Sequence, residues 1–193
     1  MSVNVCCNSM KDTAIEAVTA TLRLLRNPAG EYRTLPCSGG VTEPLLFVAR
    51  MGFIAGLVKL LINFYHMACG VEMGLFTALS AVVVIPLVAV AIGYLLAFLL
   101  FVLMKYLGCG AELETAVRSV SKASVILPLA VVVLLIPYLG NALLVATIAY
   151  ILRAVATEVY GLQSNLATLI FAGGGVVCVV LALVSESFAR FAA

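Results

Sequence analysis

The sequence predicts an all-α, polytopic membrane protein: five transmembrane helices preceded by an N-terminal amphipathic helix at the membrane interface. Three observations carry this. From Leu45 to Ala189 the chain is almost continuously apolar. Hydrophobic residues fill 64% of its 193 positions and charged residues only 10%, with a mean hydropathy of +1.21. A soluble domain carries charge at about a quarter of its positions and could not hold such a surface in water. Several apolar runs are long enough to cross about 30 Å of hydrocarbon at 1.5 Å per helical residue.

The same numbers exclude function classes. A net charge of +2 is too small for nucleic-acid binding, and the eleven basic residues fall mostly at the ends of apolar runs, where topology needs them. The first forty residues are polar and lack the n-region, h-region and cleavage site of a signal peptide, so the first span is expected to be its own insertion signal. The six cysteines (Cys6, Cys7, Cys37, Cys69, Cys109 and Cys178) make no C-x-x-C, and the chain has one histidine, His66. No disulfide framework, metal or other cofactor is expected from that set. His66, Cys69 and Glu72 gather outside span one, short of the four ligands of a structural zinc site.

The elements follow in order. Residues 1–9 are polar and read as disordered. A helix over 11–26 opens at Asp12-Thr13, with Thr13 and Glu16 at capping-box spacing and Ile15, Val18, Leu22 and Leu25 at helical intervals. Asn27-Pro28 ends it, because proline disfavours helical geometry in the preceding residue. Arg23 and Arg26 beside the apolar stripe suit an anionic membrane surface, and packing against the bundle's cytoplasmic end suits the same pattern. Residues 33–42 read as a loop, closing a cytoplasmic segment over 1–42.

The transmembrane domain, 43–193, begins with span one at 45–66. Span two, 73–107, reads as one long helix, because a break at Pro86 would leave a first piece of about 14 residues, too short to cross. Gly108 and Gly110 stop it. Residues 111–122 are amphipathic, with Glu114, Arg118 and Lys122 at i, i+4 spacing, and lead into span three at 119–136, which contains Pro128. A tight turn over 137–141, span four at 141–160, a short loop and span five at 165–185 complete the chain.

Lysine and arginine set the orientation. Lys11, Arg23, Arg26 and Arg33 precede span one, and Lys105, Arg118 and Lys122 follow span two, whereas 66–72 and 137–141 have none. The positive-inside rule then places the N-terminus in the cytoplasm and the C-terminus outside. Tyr65 and Tyr138 at the outer ends, with Tyr106 and Tyr160 at the inner ends, fit an interfacial aromatic belt.

Taken together, several segments resemble the Yip family of Ypt/Rab-interacting membrane proteins, most closely its prokaryotic members. Asn27-Pro28 with Tyr32 and Leu35 is similar to the family's entry motif. Then come "ELETAVRSVSKASVILP", "IPYLG" and "EVYGLQSNLA", in family order and spacing, so the resemblance covers about residues 20–185. Tyr160 and Asn165 stand where many relatives have histidine and lysine, and the N-terminal region lacks the long polar arm of eukaryotic members. The resemblance implies five spans, a cytoplasmic N-terminus, a prokaryotic cytoplasmic membrane and a non-enzymatic interaction or organising role.

Four intramembrane charges are candidates for a polar site: Arg50, Lys59, Arg153 and Glu158. A charge at a helix centre costs about 2.5–3.5 kcal/mol on insertion scales. Arg50, about 8 Å into span one, and Lys59, about seven residues from its outer end, can snorkel. Arg153, about 10 Å inside span four, is the hardest to accommodate, and Glu158 has a candidate partner in Arg50. Pairing or snorkelling is one reading of the four, and a polar site is the other. Gly52 and Gly56 make a G-x-x-x-G, and Gly173, Gly174 and Gly175 give span five a smooth patch; packing within the bundle and homodimerisation both use such surfaces. Tyr94 and Tyr150 are expected to find hydroxyl partners inside the bundle. No nucleophile–base pair or phosphate loop stands out, so no catalytic residue is expected.

The leading expectation is a membrane-embedded interaction factor whose lipid- or partner-binding surface includes Arg23, Arg26, Arg33, Arg118 and Lys122. The alternative is a small transporter or channel for an ion, solute or lipid, with charges facing a cavity between spans one and four.

Overall fold

The computed structural model describes the backbone of residues 18–35, 40–71 and 74–191, with side chains as far as residue 184. The expected helix start, with Thr13, Ile15 and Glu16, lies outside the described residues, as do Cys6, Cys7, Cys37 and Glu72.

Residues 18–26 are helical (α1) and lead straight into a second, short helix, α2 (Pro28–Arg33). Asn27-Pro28 therefore both stops one helix and starts another. The Asn27 side chain accepts a hydrogen bond from the Gly30 amide at 3.0 Å, and Pro28, with no amide to lose, occupies the first turn. The sequence reading took this pair only as a stop and missed α2.

Five stretches are long and apolar enough to cross a membrane, and the protein is an all-α integral membrane protein. They are α3 (Thr42–Ala68), α4 (Leu75–Tyr106), a composite third span, α7 (Leu139–Glu158) and α8 (Ser164–Phe191). The third span joins α5 (Leu113–Ala123), a 3₁₀ turn (Ser124–Ile126) and α6 (Leu127–Val133). It begins before the expected residue 119 because the charged 111–122 helix and the apolar run form one rod. Pro128 explains the turn: it has no N–H for the Ser124 carbonyl, and the Leu127 amide bonds that carbonyl instead, at the tighter spacing. Thr21 of α1 donates to the neighbouring Val125 carbonyl at 2.9 Å, in a buried bond.

α4 continues through Pro86 without interruption. It ends at Gly108, whose φ of +78° suits a residue without a Cβ. At the other end of the bundle, the Leu139 amide bonds the Pro137 carbonyl at 2.7 Å around Tyr138, which sits at φ 61°. That tight turn, with Gly140 packed so closely that a Cβ would strike the Val133 carbonyl, folds α7 back against α6.

Burial is uneven along the bundle. Leu24, Tyr32, Met104, Val117, Ile151 and Val155 belong to one core cluster, which gathers where α1, α2 and α5 meet the ends of α4 and α7. Toward the opposite end, side chains such as Phe76, Leu87 and Leu139 face outward, where lipid tails rather than water are their natural surroundings.

Candidate functional site

The charged end of the bundle is held together by polar contacts between segments far apart in sequence. Tyr32 of α2 donates its hydroxyl to the Ser119 carbonyl of α5 at 3.1 Å. Lys122 of α5 pairs with the Glu31 carboxylate at 3.0 Å, reaches the Glu31 carbonyl and lies 5.8 Å from the Tyr32 ring centre. Arg33, at the end of α2, pairs with Glu158, at the end of α7, with Nε 2.6 Å and Nη2 3.4 Å from its two oxygens. With the Thr21–Val125 bond, these contacts fasten α1 and α2 as a collar across α5 and α7.

Electrostatics follow the geometry. Burial, and then the Glu31 charge, push the Tyr32 pKa well above its ordinary value. Hydrogen bonding to Glu158, reinforced by its charge, raises that of Arg33. Tyr160, beyond the end of α7, is pushed up to about 12 by burial first and by Cys109 second. Its hydroxyl is buried without a partner among the described residues.

The collar reassigns several residues that the sequence placed on an open surface. Arg118 is buried and bonds Glu114 one turn back at 3.1 Å, because α5 is sandwiched between α3 and α4. Lys122 is committed to Glu31, and Arg33, though solvent-facing, to Glu158. Arg23 and Arg26 remain exposed, with no ion pair among the described residues, and the apolar Val18 and Leu22 are exposed on the same helix.

The four intramembrane charges do not converge. Glu158 takes Arg33 rather than Arg50, because α2 packs against α7 while Arg50 points outward from α3. Lys59 is half-buried elsewhere on α3. Of the four, Arg153 and Glu158 border one cavity, of about 260 Å³, which Arg26, Pro28, Thr157 and Ser164 also border. Arg153 donates through Nη2 to the Ser164 hydroxyl at 3.3 Å, and its buried Nε has no partner among the described residues.

Beside that cavity, a groove of about 410 Å³ runs between α7 and α8, lined by Ala146, Ala149, Ala172, Gly175, Val176 and other residues. Tyr150 and Arg153 border both spaces. Tyr94 and Tyr150 are about half exposed rather than buried in the bundle as their mid-span positions suggested. A third space of about 230 Å³, almost wholly apolar, lies among α3, α4, the third span, α7 and α8.

The glycines divide in the same way. Gly52 and Gly56 sit in the α3–α4 contact and Gly175 meets Ala149 of α7, whereas Gly173 and Gly174 face open space. Sequence reasoning missed the pairing of Arg33 with Glu158 and of Lys122 with Glu31, since a partner roughly a hundred residues away leaves no trace in local spacing. Set beside known proteins, the chain matches no family model, no curated protein and no solved structure.

Proposed function

We propose that the protein is a non-enzymatic, membrane-embedded interaction factor of the Yip type that works through its charged collar on the cytoplasmic side. The observation that carries this reading is the convergence of the collar's segments. The stretches that resemble the Yip family (the Asn27-Pro28 corner with Tyr32, the α5 segment and the end of α7) meet through the Tyr32–Ser119 and Arg33–Glu158 contacts. Lysine and arginine are absent from 69–71 and 134–138 at the opposite end, which supports a cytoplasmic collar and N-terminus and an external C-terminus.

The collar is fastened on its inner side and leaves Val18, Leu22 and Arg23 outward, with Arg26 exposed at the rim of the Arg153 cavity. Apolar residues beside arginines suit an anionic membrane surface or a protein partner resting on it. A flux pathway lined by all four intramembrane charges has less support, because Arg50 and Lys59 lie apart from the Arg153 cavity.

A photo-crosslinking residue placed at Arg23 in the native membrane is expected to capture a discrete protein that the same residue at Phe76, toward the opposite end, does not. Identical capture from both positions would overturn the reading. So would solute flux in proteoliposomes that Arg153→Ala abolishes while the protein still inserts.

A further inference from the structure

The polar cavity at the end of α7 lies next to the apolar groove between α7 and α8. We infer that together they hold a single anionic phospholipid, with its phosphate on Arg26 and Arg153 and one acyl chain along the groove. This goes beyond the collar's role toward partners and does not depend on it.

Adjacency is the first argument. Tyr150 and Arg153 line both spaces, so the polar cavity and the apolar groove adjoin at those two side chains. The change from polar to apolar lining follows the direction in which a phospholipid changes from headgroup to chain. Arg153 stands about 7–8 Å, or five residues, before the end of α7, at a depth suited to a phosphate or glycerol backbone rather than to bulk water.

Charge is the second. The cavity is bordered by Arg26, Arg153 and Glu158, and the Glu158 carboxylate is already held by Arg33 through two hydrogen bonds. Two guanidinium groups therefore face one space without a carboxylate of their own among the described residues. A guanidinium carries five N–H donors in a planar fork that matches phosphate oxygens. Arg153 uses one donor on Ser164, in a long bond. A bare arginine at this depth is costly, and an anion that brings its own apolar tail removes that cost.

Shape is the third. The groove floor is made of small residues, Ala146 and Ala149 on α7 against Ala172 and Gly175 on α8. Along α8 it runs from Thr168 to Val180, about 18 Å at 1.5 Å per residue and somewhat more than half of a 30 Å hydrocarbon core. One acyl chain of the leaflet nearest the collar fits that length. A free phosphate would use the arginines and leave the groove idle.

The test is native mass spectrometry of the purified full chain in detergent, titrated with phosphatidylglycerol, phosphatidylcholine of the same chains, or inorganic phosphate. One phosphatidylglycerol per chain is expected, held at least tenfold more tightly than phosphatidylcholine. Arg26→Gln and Arg153→Gln should each weaken it about tenfold, and Arg50→Gln, outside the site, should leave it unchanged. Ala172→Phe, which fills the groove from an exposed position, should release the lipid without altering the melting temperature of the lipid-free protein. Arg153→Lys, which keeps the charge and loses the fork, should fall between wild type and Arg153→Gln and guards against a fold defect in the latter. Equal loss with Arg50→Gln would mean diffuse attraction and overturn the inference. Unchanged binding in Ala172→Phe, or displacement of the lipid by inorganic phosphate, would mean a headgroup-only anion site and overturn it equally.

Discussion

In the α3–α4 hairpin, a Cβ added to Gly52 would stand 2.8 Å from the Cα of Pro86, and one added to Gly56 would stand 2.9 Å from the Ala81 carbonyl oxygen. In the α7–α8 hairpin, a Cβ on Gly175 would meet only the Ala149 Cβ, at 2.9 Å, and one on Gly173 or Gly174 would meet nothing within 4 Å. Both hairpins contain small residues, yet one closes backbone against backbone and the other leaves a groove. Spacing is the difference. Gly52 and Gly56 are four apart and share one face of α3, so α4 can approach along a full turn. Three consecutive glycines are spread around α8 at about 100° each, so only one can face α7. What lies opposite matters as well: at Pro86 and Ala81 the neighbour is main chain, which cannot turn aside as a side chain can.

The largest effect that would break this contrast is expected from Gly56→Leu. The new side chain has only the α4 backbone before it, so the hairpin must part, at a cost of about 3 kcal/mol. A drop in the thermal midpoint of the detergent-solubilised protein, together with loss of the folded-protein peak in size-exclusion chromatography, would show it. Full retention of stability would mean that α3 and α4 are not in main-chain contact at all. Gly175→Ala should cost less, about 1 kcal/mol, because α8 can yield into the groove beside it.

How far the sequence revealed this contrast depends on the range of each cause. The spans were legible because hydropathy and bilayer thickness act locally and additively, and the G-x-x-x-G pointed to a close approach. Which helix approached was not legible, since nothing local links Gly52 to Pro86. The collar was hidden for the same reason: Glu158 had a plausible partner in Arg50, and only folding brings Arg33 to it instead. Arg118 looked like a surface residue because the i, i+4 ladder of α5 specifies a helix and says nothing of which face is covered. The α2 helix was readable, because Asn27 before Pro28 is a start signal as much as a stop.

The two hairpins also differ in what fastens their ends, and pH should separate them. The α7–α8 connection carries Tyr160, whose pKa of about 12 in the folded protein lies above the ordinary 10.0. Below pH 10 both folded and unfolded chains keep this proton, and the contribution is present in full. Between about 10 and 12 the unfolded chain releases it first, so stability is lost as pH rises. Tyr32 adds in the same direction. The expected outcome is earlier amide exchange at the start of α8 than in α3 or α4 as pH is raised through that window, after correction for intrinsic rates. Tyr160→Phe should remove part of the difference. Equal sensitivity of both hairpins would detach Tyr160 from it.

The smallest effect is expected at Gly173→Leu, and it sharpens the comparison because the same change at Gly56 is the most damaging. Nothing stands within 4 Å of the position, so the leucine has only lipid to meet. Replacing glycine in a helix interior removes backbone freedom from the unfolded chain, a gain that reaches about 0.8 kcal/mol in water. The thermal midpoint should therefore hold or rise slightly, with particle mass by light scattering unchanged. A fall in mass would instead assign Gly173 and Gly174 to a helix–helix contact between two copies of the chain, the use of small residues that a single copy leaves open. The groove would then run beside an interface rather than beside lipid, and Ala172→Phe would act on assembly as well as on phospholipid.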